Sequence, residues 1–336
     1  MSFDFSQLPD FLMCRPKMVE KVWGGQALFE LYQKGDAHQK WGESWEVADL
    51  PEGQSELGRD QHFAPLHEWI EHFGKDLLGN QHPGFPLLLK IIHAADDLSI
   101  QVHPGPDDIS EIENAHSKDE CWYILHAHDD AFIWHGLKEA GTSRDVLQNA
   151  ISDGSITDYL RRVPVSTGDV ISIPPGTPHA ICKNIVLLEV QEPSDTTFRL
   201  WDYNRPGLDG KPRELHQGAG IQVMQCQAQP PTIVQPVQLS GKNHSLLLQR
   251  PSFRLEKVVF SDLAQKEVLH FPANQFVLLT CACGETEVTA DNTVEPLRAG
   301  QTLLVPAATS SLSLQAKERT ELILSGLGPT ELVKLG

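Results

Sequence analysis

The sequence contains no long apolar run. No stretch approaches the roughly 18 to 20 uninterrupted apolar residues that a membrane-spanning helix requires. The opening segment, MSFDFSQLPDF, lacks the basic region and following apolar run of a signal peptide. We therefore expect neither a membrane span nor a secretion signal.

Basic residues are scarce relative to acidic ones. The chain of 336 residues has 27 Lys and Arg against 45 Asp and Glu, which gives a formal net charge of −18. A general nucleic-acid binder needs a basic face for the phosphates, and docking on anionic membranes needs one as well. The sequence therefore argues against both kinds of partner, and an anionic small-molecule substrate would need its own local cluster of Lys and Arg.

Cysteines are few and form no regular framework. The chain has 6 cysteines and is long enough to bury a core without disulfide bonds. This favours free thiols in a reducing cytoplasm. Cys281 and Cys283 are two residues apart in a strand-like run, so they would share one face of a strand. We interpret this pair as packing residues, with metal or redox work as the alternative.

Short apolar and alternating runs dominate the rest of the chain. Segments 121–127 and 130–136 predict two strands joined in a hairpin by a short turn. Helical spacing occurs in 64–79 and in 144–162, the second with a break at Gly154. Many short strands at regular spacing predict a mainly β fold of the sandwich or barrel type, with its helical portion in the N-terminal half.

The sequence contains a possible internal repeat. The segment TGDVISIP (167–174) has the pattern of AGQTLLVP (299–306), namely a turn glycine, an alternating strand and a proline. We interpret the two as parts of related β units, against the alternative of a chance match. We accordingly divide the chain into a domain of residues 1–220, which includes the helical segments, and a C-terminal β domain of residues 221–336.

The second unit reads as a divergent copy of the first. The run CWYILHAHDD resembles FVLLTCACGE, which extends the repeat over a further strand. The resulting alignment sets His179 opposite Ser311 and Glu120 opposite Gln275. If the first copy binds a metal with those residues, the second copy has lost that ability.

Four residues with metal-binding side chains fall at predicted strand ends. Gln101 and His103 would point to the same face of a strand that Pro104 ends, Glu120 opens an apolar strand, and His179 follows the rigid turn PPGTP. Two imidazoles, one carboxylate and one amide oxygen can hold a divalent ion such as zinc, manganese, iron or nickel and leave positions open. The alternatives at this point are a surface histidine at 179 and ordinary rim residues at 101 and 103.

The chain resembles the type I mannose-6-phosphate isomerases, in particular their short bacterial form. The combination of QVHP, then E-x-W-Y, then PPGTxHA is far more specific than any one of these motifs. The matching blocks lie in order over most of residues 20–215, and the remainder matches more loosely. They are WGESWEVAD (41–49), FPLLLKII (85–92), LSIQVHP (98–104), KDECWYIL (118–125), GDVISIPPGTPHAI (168–181) and SDTTFRLWDYNR (194–205).

The resemblance implies a fold and a set of site residues. The fold is a cupin-type β-barrel, or jelly roll, that binds one zinc ion per chain, and the C-terminal β domain would be a degenerate cupin-like copy without a metal site. The implied metal ligands are Gln101, His103, Glu120 and His179. The implied active-site residues are Lys118, Asp195 and Arg199, of which Lys118 and Arg199 would also bind substrate.

The resemblance also implies a reaction. A metal-dependent aldose-ketose isomerase would interconvert mannose 6-phosphate and fructose 6-phosphate through a cis-enediol(ate). The cytoplasm is the compartment that the cysteines favour, and the oligomeric state stays open between monomer and homodimer. The proton carrier is left open between Asp195, a neutral histidine and a bound water. The chain departs from longer relatives at Ser117, where they often have a histidine, and in the absence or reduction of their large helical insert.

Several alternatives stay open on the sequence. Arg199 could form a structural ion pair with Asp195 or Asp202, and Lys118 could be a solvated loop lysine. The barrel could serve another sugar or sugar phosphate, or a non-catalytic metal-binding sugar sensor. An iron oxygenase of the same fold would leave Gln101 hard to explain, and the fold alone does not choose among these activities.

Overall fold

Strands make up most of the ordered structure, as expected. The computed structural model describes residues 4–80, 82, 84–139, 141–227, 233–239, 243–261, 266–290 and 293–336. The strands as far as residue 201 are β1 (Leu12–Arg15), β2 (Lys17–Gly25), β3 (Trp41–Val47), β4 (Asp49–Leu50), β5 (Gly53–Gln54), β6 (Glu56–Arg59), β7 (His62–Pro65), β8 (Leu88–Ala94), β9 (Ile100–Val102), β10 (Glu120–Ala127), β11 (Phe132–Leu137), β12 (Leu160–Pro164), β13 (Val170–Ile173), β14 (His179–Ile181), β15 (Ile185–Gln191) and β16 (Phe198–Trp201). The later strands are β17 (Val237–Gln238), β18 (His244–Gln249), β19 (Arg254–Phe260), β20 (Lys266–His270), β21 (Val277–Cys283), β22 (Glu285–Ala290), β23 (Thr293–Arg298), β24 (Thr302–Val305), β25 (Ser311–Ala316), β26 (Thr320–Gly326) and β27 (Lys334–Leu335).

Helices are short and few in the described residues. They are α1 (Ala27–Tyr32), α2 (Leu66–Leu78), α3 (Arg144–Asp153) and α4 (Gln217–Val223), with one 3₁₀ turn at Ser155–Asp158. None of the helices in these ranges is long and apolar enough to cross a membrane.

The structure confirms one predicted helical segment and only the first part of the other. The first is confirmed as α2, although its backbone bends at Gly74. The second begins as predicted, with the Ser143 hydroxyl accepting a hydrogen bond from the amide of Val146, and ends at Gly154 in a left-handed conformation. The helix predicted beyond Gly154 is wrong, because a single 3₁₀ turn leads directly into β12.

The chain divides into two compact units built from interleaved segments. The central unit consists of Met18–Ser44 and Ile91–Val234, and the outer unit of Met1–Lys17, Trp45–Lys90 and Gln235–Gly336. The units therefore differ from the division at residue 220, which follows only the order of the chain and stays a prediction about domains. The α2 segment groups with the C-terminal strands rather than with α3.

Two sheets form the central unit. One has the order β13-β10-β15-β8-β3-β2 and the other β12-β11-β14-β9-β16. Their facing side chains, such as Trp122 on β10 and Ile133 on β11, share one buried apolar cluster. The predicted hairpin of β10 with β11 is wrong, because the chain crosses from one sheet to the other at this turn, as expected in a jelly roll.

The outer unit repeats this topology. Its strands β24-β21-β26-β19 follow the order of β13-β10-β15-β8, and β23-β22-β25-β20-β27 follow that of β12-β11-β14-β9-β16. The turns agree as well, since the amide of Gly168 donates to the carbonyl of Ile124 and the amide of Gly300 donates to that of Cys281, both at 2.8 Å. The internal duplication is therefore confirmed.

The register corrects one position of the alignment. Glu120 pairs with Ile173, and in the copy Val305 takes the place of Ile173 and pairs with Val277. The counterpart of Glu120 is thus Val277 rather than Gln275. Structural equivalence follows the hydrogen-bond register of the strands and not the similarity of the two sequence segments. Ser311 does replace His179, and the copy retains no carboxylate or imidazole at either position.

Leu279 on β21 tests the core of the outer unit. Its side chain is fully buried in the main apolar cluster of that unit. We expect Leu279→Ala to lower the free energy of unfolding by about 2–5 kcal/mol, because it removes buried methyl groups and leaves a cavity. Val294→Ala is the control, since Val294 is 54% exposed, and it should change the value by less than about 0.5 kcal/mol. Equal effects of the two variants in denaturant titrations would contradict this description of the core.

Candidate metal centre

One row of residues crosses the five-stranded sheet of the central unit. His135 on β11 pairs with His179 on β14, His179 pairs with Gln101 on β9, and Gln101 pairs with Arg199 on β16. Directly paired residues of neighbouring strands point to the same face of a sheet. Three strands distant in sequence thus bring an imidazole, an amide and a guanidinium side by side.

Glu120 joins this row from the facing sheet. It is the first residue of β10, and its carboxylate Oε1 lies 3.2 Å from Nε2 of His179 while Oε2 lies 3.4 Å from Nε2 of His103. The potential ligand atoms of His103, Glu120 and His179 all lie within 4.8 Å of one another. Within the described residues, these three form the group with metal-binding geometry. All three side chains are almost completely buried.

The hydrogen bonds around this group orient both imidazoles. Nδ1 of His103 lies 2.9 Å from the carbonyl of Thr196, and Nδ1 of His179 lies 2.9 Å from the carbonyl of Thr177. A carbonyl only accepts, so Nδ1 carries a proton in each ring, and in the neutral ring Nε2 is then the atom with a lone pair. Metal-ligating histidines are typically held in this way.

The group needs a cation between its atoms. Oε1 of Glu120 is buried and has no hydrogen-bond partner, and it lies 3.2 Å from Nε2 of His179. Two acceptors in contact repel each other unless a proton or a metal ion lies between them. Nitrogen and carboxylate donors in this arrangement suit zinc and similar divalent ions. The residues present therefore fit a divalent metal.

The electrostatics favour the ligating forms. Burial alone would raise the pKa of Glu120, but the neighbouring ammonium of Lys118 holds it well below its usual range. Burial, reinforced by the positive charge of Lys118, lowers the pKa of His103 well below its usual value. The carboxylate is thus ionised and the imidazole neutral, as metal binding requires.

Gln101 lies beside the group with its amide nitrogen inward. Nε2 of Gln101 is 3.3 Å from Nε2 of His179. The oxygen of the same amide is the atom that a metal would take, and a half-turn about the terminal bond exchanges the two atoms. Gln101 is therefore placed to ligate but is not oriented to do so.

Lys118 is part of the site rather than a solvated lysine. It is only 3% exposed. Its ammonium donates to Oε2 of Glu120 at 2.5 Å and lies 3.2 Å from Nε2 of His103. The positive charge at the edge of the ligand group is therefore supplied by the chain itself.

Arg199 does not form the structural ion pair that the sequence left open. Asp202 is gripped instead by Arg205 and Arg213, whose Nε atoms donate to its carboxylate at 3.1 and 2.7 Å. Among the described residues, Arg199 has no carboxylate within ion-pair distance; its guanidinium donates to the carbonyl of Glu214, and its Nε is buried without a partner. Burial, with the nearby charge of Arg213, lowers the pKa of Arg199 from its usual value.

Asp195 lies at the exposed rim between β15 and β16. It precedes Thr196, whose carbonyl holds His103, and its negative charge acts on Arg199. The structure thus places Asp195 beside the ligand group but not within it.

His135 is a residue of the row to which the sequence assigned no role. It is 1% exposed, its Nε2 lies 2.9 Å from the carbonyl of Ser172, and burial lowers its pKa, so it is a neutral donor behind His179. The alternation of β11 puts His135 on the same buried face as Ile133, which was the available signal. Pairing with His179, however, is a property of the sheet and has no sequence signature.

Comparison with known proteins identifies similar chains. A family profile described as the catalytic domain of phosphomannose isomerase type I matches residues 11–133. Mannose-6-phosphate isomerase ManA of Bacillus subtilis (strain 168) is 34% identical over 309 residues, which cover 90% of this chain and 95% of that protein.

Solved structures extend the comparison. A crystal structure of the mannose 6-phosphate isomerase from Bacillus subtilis superposes with a TM-score of 0.85 at 27% identity, over 94% of this chain and 99% of that one. A mannose 6-phosphate isomerase solved with zinc and yttrium bound has a TM-score of 0.72 at 18% identity, over 94% and 99% of the two chains, and shares the fold.

Removal of one imidazole tests the metal centre. We expect His179→Ala to weaken metal binding by about 100-fold or more, because an essential lone pair is lost from a buried group. His126→Ala is the matched control, since His126 is an exposed histidine near the other end of β10. Metal content per chain, measured after dialysis, should fall towards zero in the first variant and stay near one ion in the second. Retention of a full ion by His179→Ala would contradict the assignment.

Proposed function

Because this chain belongs to the type I phosphomannose isomerase family, we propose that it is a metal-dependent mannose-6-phosphate isomerase. It interconverts mannose 6-phosphate and fructose 6-phosphate, an aldose-ketose isomerisation through a cis-enediol(ate). The observation that carries this proposal is the buried group of His103, Glu120 and His179, with two cationic side chains, Lys118 and Arg199, beside it.

The reaction moves a proton between C2 and C1 of the open-chain sugar. Negative charge develops on the sugar oxygens as the enediol(ate) forms, and a divalent ion held by Gln101, His103, Glu120 and His179 would supply Lewis-acid stabilisation of that charge. With one carboxylate and three neutral ligands, such a site keeps about one net positive charge. We propose zinc as the ion, supported by the donor set and by the zinc-bound relative of the same fold.

Lys118 and Arg199 bind and orient the anionic sugar. A net charge of −18 repels a sugar phosphate, so the pocket needs positive charge of its own. The buried Nε of Arg199 has no partner among the described residues, and a substrate oxygen would satisfy it. Lys118 acts as a point charge, whereas the planar guanidinium of Arg199 can engage two oxygens at once.

Asp195 is our candidate for the proton carrier. His103 and His179 are excluded as bases, because each uses Nδ1 to donate to a carbonyl and directs Nε2 at the ligand group. His135 is excluded by its complete burial. The carboxylate of Asp195 is exposed at the rim, where a substrate can reach it. A positioned base of this kind typically contributes about 10² to 10⁴ in rate.

The cysteines bear on the compartment. All six are free thiols in the structure. Cys281 is buried, and burial raises its pKa above the usual range, which agrees with packing rather than redox work. We propose that the enzyme works in the reducing cytoplasm.

A coupled assay with metal analysis tests the function. Formation of fructose 6-phosphate from mannose 6-phosphate should be lost on chelation and restored by stoichiometric zinc, because the lone pairs of the ligand group then have their cation again. Free mannose should be a poor substrate if the cations recognise the phosphorylated sugar. A folded, metal-replete sample without turnover of any sugar phosphate would contradict the proposal.

Arg199→Gln separates catalysis from structure. It breaks no ion pair among the described residues, so fold and metal content should be retained, while kcat falls by about 10² to 10³ through loss of charge stabilisation. Arg162→Gln is the control, because Arg162 is an exposed arginine that stacks on Phe132 in the same sheet. Loss of metal or a lower melting temperature in Arg199→Gln would instead show a structural role.

A further inference from the structure

Two loops at the rim of the metal centre are tied together. Residues 116–119 lead into β10 and residues 192–196 follow β15, and the pairing of Glu120 with Gln191 sets the loops side by side. The amide of Glu192 donates to the carbonyl of Asp119 at 3.1 Å, and the amide of His116 donates to Oγ1 of Thr196 at 3.1 Å. The first loop carries Lys118, and the second carries the carbonyl that holds His103.

One carboxylate oxygen of Glu192 accepts hydrogen bonds from both neighbours of Lys118. Oε2 of Glu192 accepts from Oγ of Ser117 at 2.8 Å and from the backbone amide of Asp119 at 3.0 Å. The amide of Lys118 itself donates to the carbonyl of Pro104 at 3.0 Å. Three consecutive residues are thus fixed, and the side chain of the middle one extends to the ligand group.

A lysine needs this support more than most residues. Its ammonium ends a flexible four-carbon stem, and confining such a side chain has a large entropic cost. Here that ammonium must stay within hydrogen-bond distance of Glu120 and His103. A displacement of about 1 Å at a reacting centre can lower a rate by about 100-fold. The backbone that starts the stem therefore has to be held in place.

We propose that Glu192 is a positioning residue that acts through Lys118. It fixes Ser117 and Asp119 so that the Lys118 ammonium is held ready for the anionic sugar at the metal centre. This inference rests on the proposed function for the role of Lys118, but not for the position of its side chain. The hydroxyl of Ser117 supplies one of the two hydrogen bonds in this arrangement, and the amide of Asp119 supplies the other.

The chemistry requires an acceptor atom rather than a charge. Both hydrogen bonds end on the same oxygen of Glu192, so the carboxamide of Glu192→Gln can replace it with the same shape. Glu192→Ala removes both bonds, and Ser117→Ala removes one. A role in charge would instead make Glu192→Gln as harmful as Glu192→Ala.

The kinetic test compares these variants with Lys118→Ala. Glu192→Ala should lower kcat/KM by about 10- to 100-fold and Ser117→Ala by about 3-fold, whereas Glu192→Gln should stay within about 3-fold of the unmodified enzyme. Metal content should remain near one ion per chain in all of them. In a Lys118→Ala background, Glu192→Ala should have little further effect, because the residue through which it acts is gone.

Asp153→Ala is the matched control. Asp153 also accepts from a serine hydroxyl and a backbone amide, those of Ser155, but on an exposed turn at the end of α3. Its loss should leave the kinetics unchanged. Additive effects of Glu192→Ala and Lys118→Ala, or a harmful Glu192→Gln, would overturn the inference. So would loss of metal in Glu192→Ala, since the carboxylate would then support the ligands and not Lys118.

A second readout does not depend on turnover. Lys118 is 3% exposed and should react slowly with an amine-acylating reagent. Glu192→Ala should speed its modification at least about 5-fold, as measured by peptide mass spectrometry, because the anchoring of its backbone is lost, and Glu192→Gln should not. Equal labelling in all variants would contradict the positioning role. If the enzyme without substitutions were inactive but the variants showed this labelling pattern, the proposed function would be wrong and the positioning role of Glu192 would stand.

Discussion

A fully buried carboxylate must be balanced by positive charge, and Glu120 imposes this condition on the whole centre. Its residue is completely buried, and one of its oxygens has no hydrogen-bond partner. The cost of burying an unbalanced charge is several kcal/mol even after relaxation. The ammonium of Lys118, which donates to Oε2 of Glu120, supplies positive charge at the edge of the group, and a divalent ion held by the ligand atoms would add to it.

This condition explains why so many hydrogen bonds lead away from the centre. The imidazoles are fixed through carbonyls on two different turns, at Thr177 and Thr196. The second of these turns continues from Glu192, which holds the backbone around Lys118. The ligand group, the cationic side chain of Lys118 and the rim are therefore joined by one network of hydrogen bonds.

The duplicated unit shows how little of the fold this chemistry requires. The outer unit has the same strand order and the same turns, yet it has Val277 in place of Glu120 and Ser311 in place of His179. An apolar side chain at the position of the carboxylate removes the need for a cation, and the sheets still close around an apolar cluster. Chemistry and architecture are thus separable, since packing is satisfied by shape and apolar area alone.

The sequence by itself determined the mainly β class, the duplication, the presence of α2 and α3 and the identity of Gln101, His103, Glu120 and His179 as candidate ligands. These features depend on local periodicity and on the residue types at strand ends, both of which can be recognised from residues that are close together in the sequence. The tertiary structure alone decided that β10 and β11 belong to different sheets, that Val277 replaces Glu120, and that each compact unit combines separate segments of the chain. It also decided that Arg199 lies opposite Gln101 and that Glu192 grips both neighbours of Lys118. Register and contacts between distant segments arise only when the sheets assemble, because no local pattern records which strand will lie beside which.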